Sequence, residues 1–138
     1  MFDIESAYVD VNAIEEGRWL PLGPDFPGVE VLAKGLTSSG AKAFQAKATR
    51  EAPRKERLTS GRLTDEAQER ILRETIIERC VQDWRGLSSG GEPLVFSKDA
   101  LRMIMTEPKA RRIAAAIVTA ITDLETATES AQEQVLGN

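Results

Sequence analysis

The spacing of hydrophobic and polar positions changes character along the chain. Ala7, Val9 and Val11 alternate with Tyr8, Asp10 and Asn12, the period-two pattern of a half-buried strand. Trp19 to Leu22 and Val29 to Leu32 read as two more short strands. Between them Pro21-Leu22-Gly23-Pro24-Asp25-Phe26-Pro27-Gly28 is too dense in Pro and Gly for a helix and suits a turn. A small antiparallel β element is therefore expected in the first third.

From Ser38 the texture becomes helical. Ser38 or Ser39 can cap a helix over Ala41 to Ala52, rich in Ala, Lys and Gln, and Pro53 ends it. Residues 53–63 read as a polar connector. Thr64 is a suitable N-cap, with Asp65 and Glu66 at the positive end of the helix dipole. Leu72, Ile76, Ile77, Cys80, Val81 and Trp84 then recur at helical spacing, which predicts one long amphipathic helix ending near Arg85 or Gly86. Gly86, Gly90, Gly91 and Pro93 mark a glycine-rich loop or tight hairpin. Ser97 caps a short helix, with Phe96 and Leu101 placed as a hydrophobic staple. Pro108 opens a last helix carrying Ile113, Ile117, Ile121, Leu124 and Thr128 on one face, and its acidic tail from about Thr126 is expected to fray.

The fold class implied is α+β, mainly α: a small N-terminal antiparallel β element followed by three to four helices. The 138 residues fit a single domain, with a β-rich part at 1–36, a basic helix and connector at 37–63, and a helical part at 64–138. Aromatic residues make up only 5% of the chain, so Ile, Leu, Val and Ala must build the core. No apolar run reaches the length of a membrane span, and the acidic N-terminus lacks the pattern of a secretory signal. The single cysteine, Cys80, allows no internal disulfide and suits a reducing cytoplasm.

Charge is segregated. Residues 1–33 carry seven acidic side chains against Arg18 alone, 34–62 carry eight basic against two acidic, and 63–138 carry nine basic against thirteen acidic. The basic block could follow a phosphate backbone. However, Phe44 is its one aromatic, so it offers no stacking platform for single strands, and the net charge of the whole chain is −4. A solvated face that meets an acidic protein surface, such as the chain's own N-terminal block, is the better reading.

Catalytic chemistry finds little support. The chain has no histidine, which removes a His/Cys zinc site and His-activated nucleophiles, so no enzymatic activity, metal or cofactor is expected. Gly86, Gly90 and Gly91 lack the lysine and the preceding strand of a phosphate loop. Glu15-Glu16 reads as loop charge and Asp65-Glu66 as helix-start charge. Cys80 lies on the apolar stripe and reads as a core thiol, and Trp84 as a residue packed against the following loop. The Ala-rich face from Ile113 to Leu124 fits either core or a seam between subunits.

The run Cys80-Val81-Gln82-Asp83-Trp84-Arg85-Gly86-Leu87, followed by Gly91-Glu92-Pro93, Phe96, Ser97-Lys98-Asp99-Ala100 and Pro108, resembles the tail assembly chaperones of long-tailed bacteriophages and their prophages. The family theme is a helix ending in Trp-x-Gly, a loop with Gly-x-Pro, an aromatic, and Ser/Thr-x-Glu/Asp-Ala opening a short helix. Trp84, Gly86, Gly91, Pro93, Phe96, Ser97, Ala100 and Pro108 carry this pattern, which covers roughly residues 70–138. The Pro/Gly stretch at 21–28 and the basic connector at 53–63 depart from it. The resemblance implies an assembly factor of the bacterial host cytoplasm that binds the phage tape-measure protein, assists tail-tube assembly through the tail-tube protein, and self-associates. Leu101, Met103, Met105, Ile117 and Ile121 are the expected partner-binding residues. Two other readings are a permanent component of a phage tail or head–tail connector, and a nucleic-acid-associated regulator using 34–62. Neither a nucleic acid nor a membrane is the favoured partner.

Overall fold

The computed structural model describes residues 1–127, so the expected position of Thr128 and the acidic tail lie outside the described residues. Residues 7–12 are not a strand. A 3-10 turn spans Ile4–Ala7 and helix α1 spans Val11–Glu16. The reason is local capping. The Asp10 carboxylate accepts from the Ala13 N–H at 3.0 Å, while its other oxygen pairs with Arg18 at 2.9 Å. The alternation was also misleading in burial, since Ala7 and Val11 are both exposed.

The two other short strands form as expected. Strands β1 (Arg18–Pro21) and β2 (Glu30–Ala33) pair antiparallel, Leu20 opposite Val31, around the Pro/Gly loop. The sheet is completed from far along the chain by β3 (Val81–Arg85), which lies antiparallel on β2 with Val31 opposite Trp84.

That third strand corrects the expected long helix. Helix α3 spans Asp65–Thr75, widens into a π-helical turn over Ile76–Cys80, and stops there. A register shift at Leu32/Ala33 puts Val81 opposite Ala33 while Asp83 faces Leu32. Val81 and Trp84 are consequently both buried three residues apart, a spacing that mimics a helix although the backbone is extended.

Helix α2 spans Ser39–Glu51. Ser38 sits at its N-cap, but the hydroxyl donates back to the Gly35 carbonyl at 2.7 Å instead of capping. Two distant carboxylates brace this end. Glu15, at the end of α1 and not in a loop, accepts from the Ser39 N–H at 2.7 Å, and Glu125 accepts from the Thr37 N–H at 2.7 Å. The connector 53–63 contains a 3-10 turn at Arg54–Glu56 and a bridge between Arg57 and Leu63. Leu63 packs with Ala52, Ala67 and Ile71 in a small cluster of its own.

Strands β4 (Ser88–Ser89) and β5 (Glu92–Pro93) form a hairpin whose two-residue loop, Gly90-Gly91, has φ of +58° and +86°. Helix α4 spans Lys98–Thr106, and its Ser97 cap accepts from the Ala100 N–H at 3.0 Å. A 3-10 turn at Pro108–Ala110 leads into α5, Arg111–Thr126. The main core lies between one face of the sheet (Leu20, Val31, Trp84) and the helices. Ile76, Ile77, Leu101, Ile117, Ile121 and Leu124 are fully buried there. Each such aliphatic side chain contributes about 1.5–3 kcal/mol by leaving water.

Candidate functional site

Of the residues of the chaperone-like pattern, Trp84 and Phe96 meet directly, while Ser97 and Ala100 start the helix that follows. Trp84 faces the core from β3, and its indole N–H donates to the Leu94 carbonyl at 2.8 Å. Phe96 meets the indole edge-on, with ring centroids 4.9 Å apart at 88°. This fastens the segment after the Gly90-Gly91 hairpin to the sheet, as expected for Trp84. Ser97 and Ala100 then start α4, and Pro108 occupies the first turn before α5.

Gly86 is demanded twice over. Its φ is +87°, and a Cβ there would lie 2.2 Å from the Gly28 carbonyl oxygen. The backbone leaving β3 therefore passes directly against the loop that joins β1 to β2. Beside it, Arg85 pairs with Glu30 at 2.9 Å and lies 4.1 Å above the Trp19 ring.

Electrostatics join α4 to α3. Arg102 reaches Glu74 at 2.8 Å and Glu78 at 3.1 Å, and Lys98 reaches Glu78 at 2.9 Å. The hydrogen bond from Lys98, aided by the charges of Lys98, Arg102 and Arg79, holds the Glu78 carboxyl below its ordinary range. The Glu74 hydrogen bond raises Arg102. Cys80 is fully buried, and desolvation, followed by the nearby charge of Glu125, pushes its thiol up to about 12. It is a core residue, not a nucleophile.

The expected partner-binding residues separate into two groups. Leu101, Ile117 and Ile121 have no exposed surface and belong to the core, so they cannot meet a partner in this conformation. Their apolar spacing reflects packing of α4 and α5 on the sheet. Met103 is 46% exposed and Met105 half-buried, so only these two reach the surface. Gly91 and Pro93 are exposed in the hairpin.

Two concavities flank α2, and the sequence reading found neither. One, of about 550 Å³, lies between α2 and α3, with Leu63, Ile71 and Leu72 below and Gln45, Gln68 and Glu69 around it. The other, of about 470 Å³, is lined by Ala43, Phe44 and Ala48 with Lys47, Glu51 and Arg79 at its edges. Arg79 lies 5.6 Å above the Phe44 ring. Among the described residues, no basic side chain of 34–62 pairs with the acidic N-terminal block. Arg57 instead donates to the Thr49 and Gly61 carbonyls. The described residues also contain no cluster of acidic, His or Cys side chains able to hold a metal ion, and no helix long and apolar enough to cross a membrane.

These features define a small α+β protein with a braced scaffold and open, mixed-polarity grooves. Residues 37–138 match the family model described as YdaY prophage protein, and the chain belongs to that family. It is a prophage protein. No curated protein and no solved structure matches it.

Proposed function

We propose that this prophage protein is a non-enzymatic tail assembly chaperone, acting in the host cytoplasm on the tape-measure protein and assisting addition of the tail-tube protein. The observation that carries this reading is the linkage of Trp84 to Leu94 and Phe96, directly before the Ser97 cap of α4. The segment that resembles tail assembly chaperones closes on itself through the indole hydrogen bond, the edge-on ring pair and the Ser97 cap.

A tape-measure chain is long, helical and apolar, so a protein that keeps it soluble needs shallow grooves that accept one helix face reversibly. The cleft between α2 and α3, lined by Leu63, Ile71 and Leu72 together with polar side chains such as Gln45 and Gln68, has that chemistry. Exposed Met103 adds an adaptable apolar contact on α4.

The test is co-expression with a tape-measure protein of a long-tailed phage, followed by chromatography with light scattering. A soluble complex with many copies per long chain is expected, and Leu72→Glu in the cleft should weaken it. A tape-measure segment that stays insoluble and never co-purifies would overturn the proposal. Detection of this chain in purified virions by mass spectrometry would replace it with a permanent structural role.

A further inference from the structure

We propose that residues 1–8 form a docking arm that seats in the Phe44 groove of a second copy of this chain. The arm gathers several exposed apolar side chains in one short segment. Phe2, Ile4 and Tyr8 are exposed by 76%, 67% and 49%, and the 3-10 turn over Ile4–Ala7 buries no residue. Apolar side chains gathered in one segment with nothing packed on them mark an interaction element. The turn is nevertheless ordered, because the Asp3 carboxylate caps it by accepting from the Glu5 N–H at 3.0 Å. Its charge is acidic, from Asp3 and Glu5, and neither makes an ion pair among the described residues.

The Phe44 groove is its complement. Ala43, Phe44 and Ala48 line it with apolar side chains, Lys47 lines it as well, and the Arg79 guanidinium lies 5.6 Å above the Phe44 ring. Arg79 is exposed and has no carboxylate partner among the described residues, as is Lys47. Glu51 is the one acidic residue lining the groove. Phe2 and Ile4 can pack on Ala43, Phe44 and Ala48 while Asp3 and Glu5 meet Lys47 and the exposed Arg79, so burial supplies affinity and charge sets orientation. One chain carries both halves of the match, which makes a second copy the occupant. The contact uses different surfaces on the two copies, so it either closes reciprocally into a dimer or continues as a row. It does not depend on the chaperone reading, and it can fail while that reading stands.

The experiment is chromatography with light scattering on the full chain across concentration and salt. Species of at least twice the 15.1 kDa chain mass are expected, shrinking as salt rises. Phe2→Ser with Ile4→Ser should return the chain to monomer with an unchanged circular dichroism spectrum, since both side chains are exposed. Lys47→Glu should weaken association about tenfold, and pairing it with Glu5→Lys should restore it. Mixing an Ile4→Cys chain with an Ala43→Cys chain should give a disulfide-linked pair. The proposal is overturned by a monomer under all conditions, or by an oligomer indifferent to the arm substitutions. It is equally overturned if Ile4→Cys and Ala43→Cys in one chain join within a monomer, or if arm substitutions abolish only binding to a tape-measure helix.

Discussion

Placing an alanine at Gly86 tests how the sheet is joined to the segment that follows it. The substitution adds one methyl group but meets two separate obstacles. At φ +87° an alanine is held in the left-handed region, at a cost of about 1–2 kcal/mol. Its Cβ would also lie 2.2 Å from the Gly28 oxygen and 2.9 Å from the Gly28 carbonyl carbon. Both are backbone atoms, so the clash is relieved only by moving β3 away from the β1–β2 loop, adding about 1–3 kcal/mol. The expected loss is about 2–5 kcal/mol, a large part of the about 5–15 kcal/mol available to a domain of this size. Gly90→Ala is the control: φ is +58°, but no atom lies within 4 Å of its Cβ position, so only the conformational part applies. Urea unfolding followed by tryptophan fluorescence reads both variants, provided the slopes agree. Equal midpoint shifts for Gly86→Ala and Gly90→Ala would refute the reasoning, because they would mean that the approach to Gly28 carries no energy.

Three further outcomes are expected. Trp84→Phe should cost about 2–4 kcal/mol, because it leaves the Leu94 carbonyl without its indole donor and shrinks a buried ring. A loss below about 1 kcal/mol in the same urea assay would show that water replaces the indole there. For Glu78 the carboxyl is lowered on folding, so its stabilisation is fully present above its ordinary value of 4.5 and fades as pH falls through the lowered folded value. Glu78→Gln should accordingly reduce stability at neutral pH and make no difference in acid, and a gap that stays constant down through the acid range would contradict the ion-pair account. The Cys80 thiol, raised to about 12 by burial, holds about one part in ten thousand thiolate at pH 8. A disulfide reagent should leave the native protein untouched and react stoichiometrically once urea unfolds it; rapid labelling of the native chain would disprove the burial.

The helices were legible where local chemistry decides them. Thr64 and Ser97 cap as their positions predict, and Ile117, Ile121 and Leu124 turn one face of α5 into the core. Reading failed where tertiary pairing outweighs local pattern. Val81 and Trp84 continue the helical spacing of Ile76, Ile77 and Cys80, yet β2 offers them a ladder, and the register shift at Leu32/Ala33 lets both reach the same core. No local pattern reports a partner strand fifty residues away. The same holds for Glu15 and Glu125, which look like solvated charge but accept from Ser39 and Thr37 at the start of α2. Of the expected partner-binding residues, Leu101, Ile117 and Ile121 lie on apolar helix faces, a pattern that core packing produces just as well.

With those faces of α4 and α5 buried, two open concave surfaces lie along α2. Carboxylates from α1 and α5 hold one end of α2, and Ala41 anchors it in the main core. The helix thus stands as a fixed rod with an open concavity on each flank. Gln45 and Thr49 face the cleft toward α3, whereas Ala43, Phe44, Lys47 and Ala48 face the other groove. The two sets share no residue. A partner helix in the cleft and the N-terminal arm of a second copy in the Phe44 groove would therefore not compete for side chains. A protein that covers a long chain by many copies needs that separation, because each copy must grip the chain and its neighbour at once. If the arm contact continues as a row rather than closing into a dimer, weak contacts of both kinds would add through local concentration and leave each individual grip reversible.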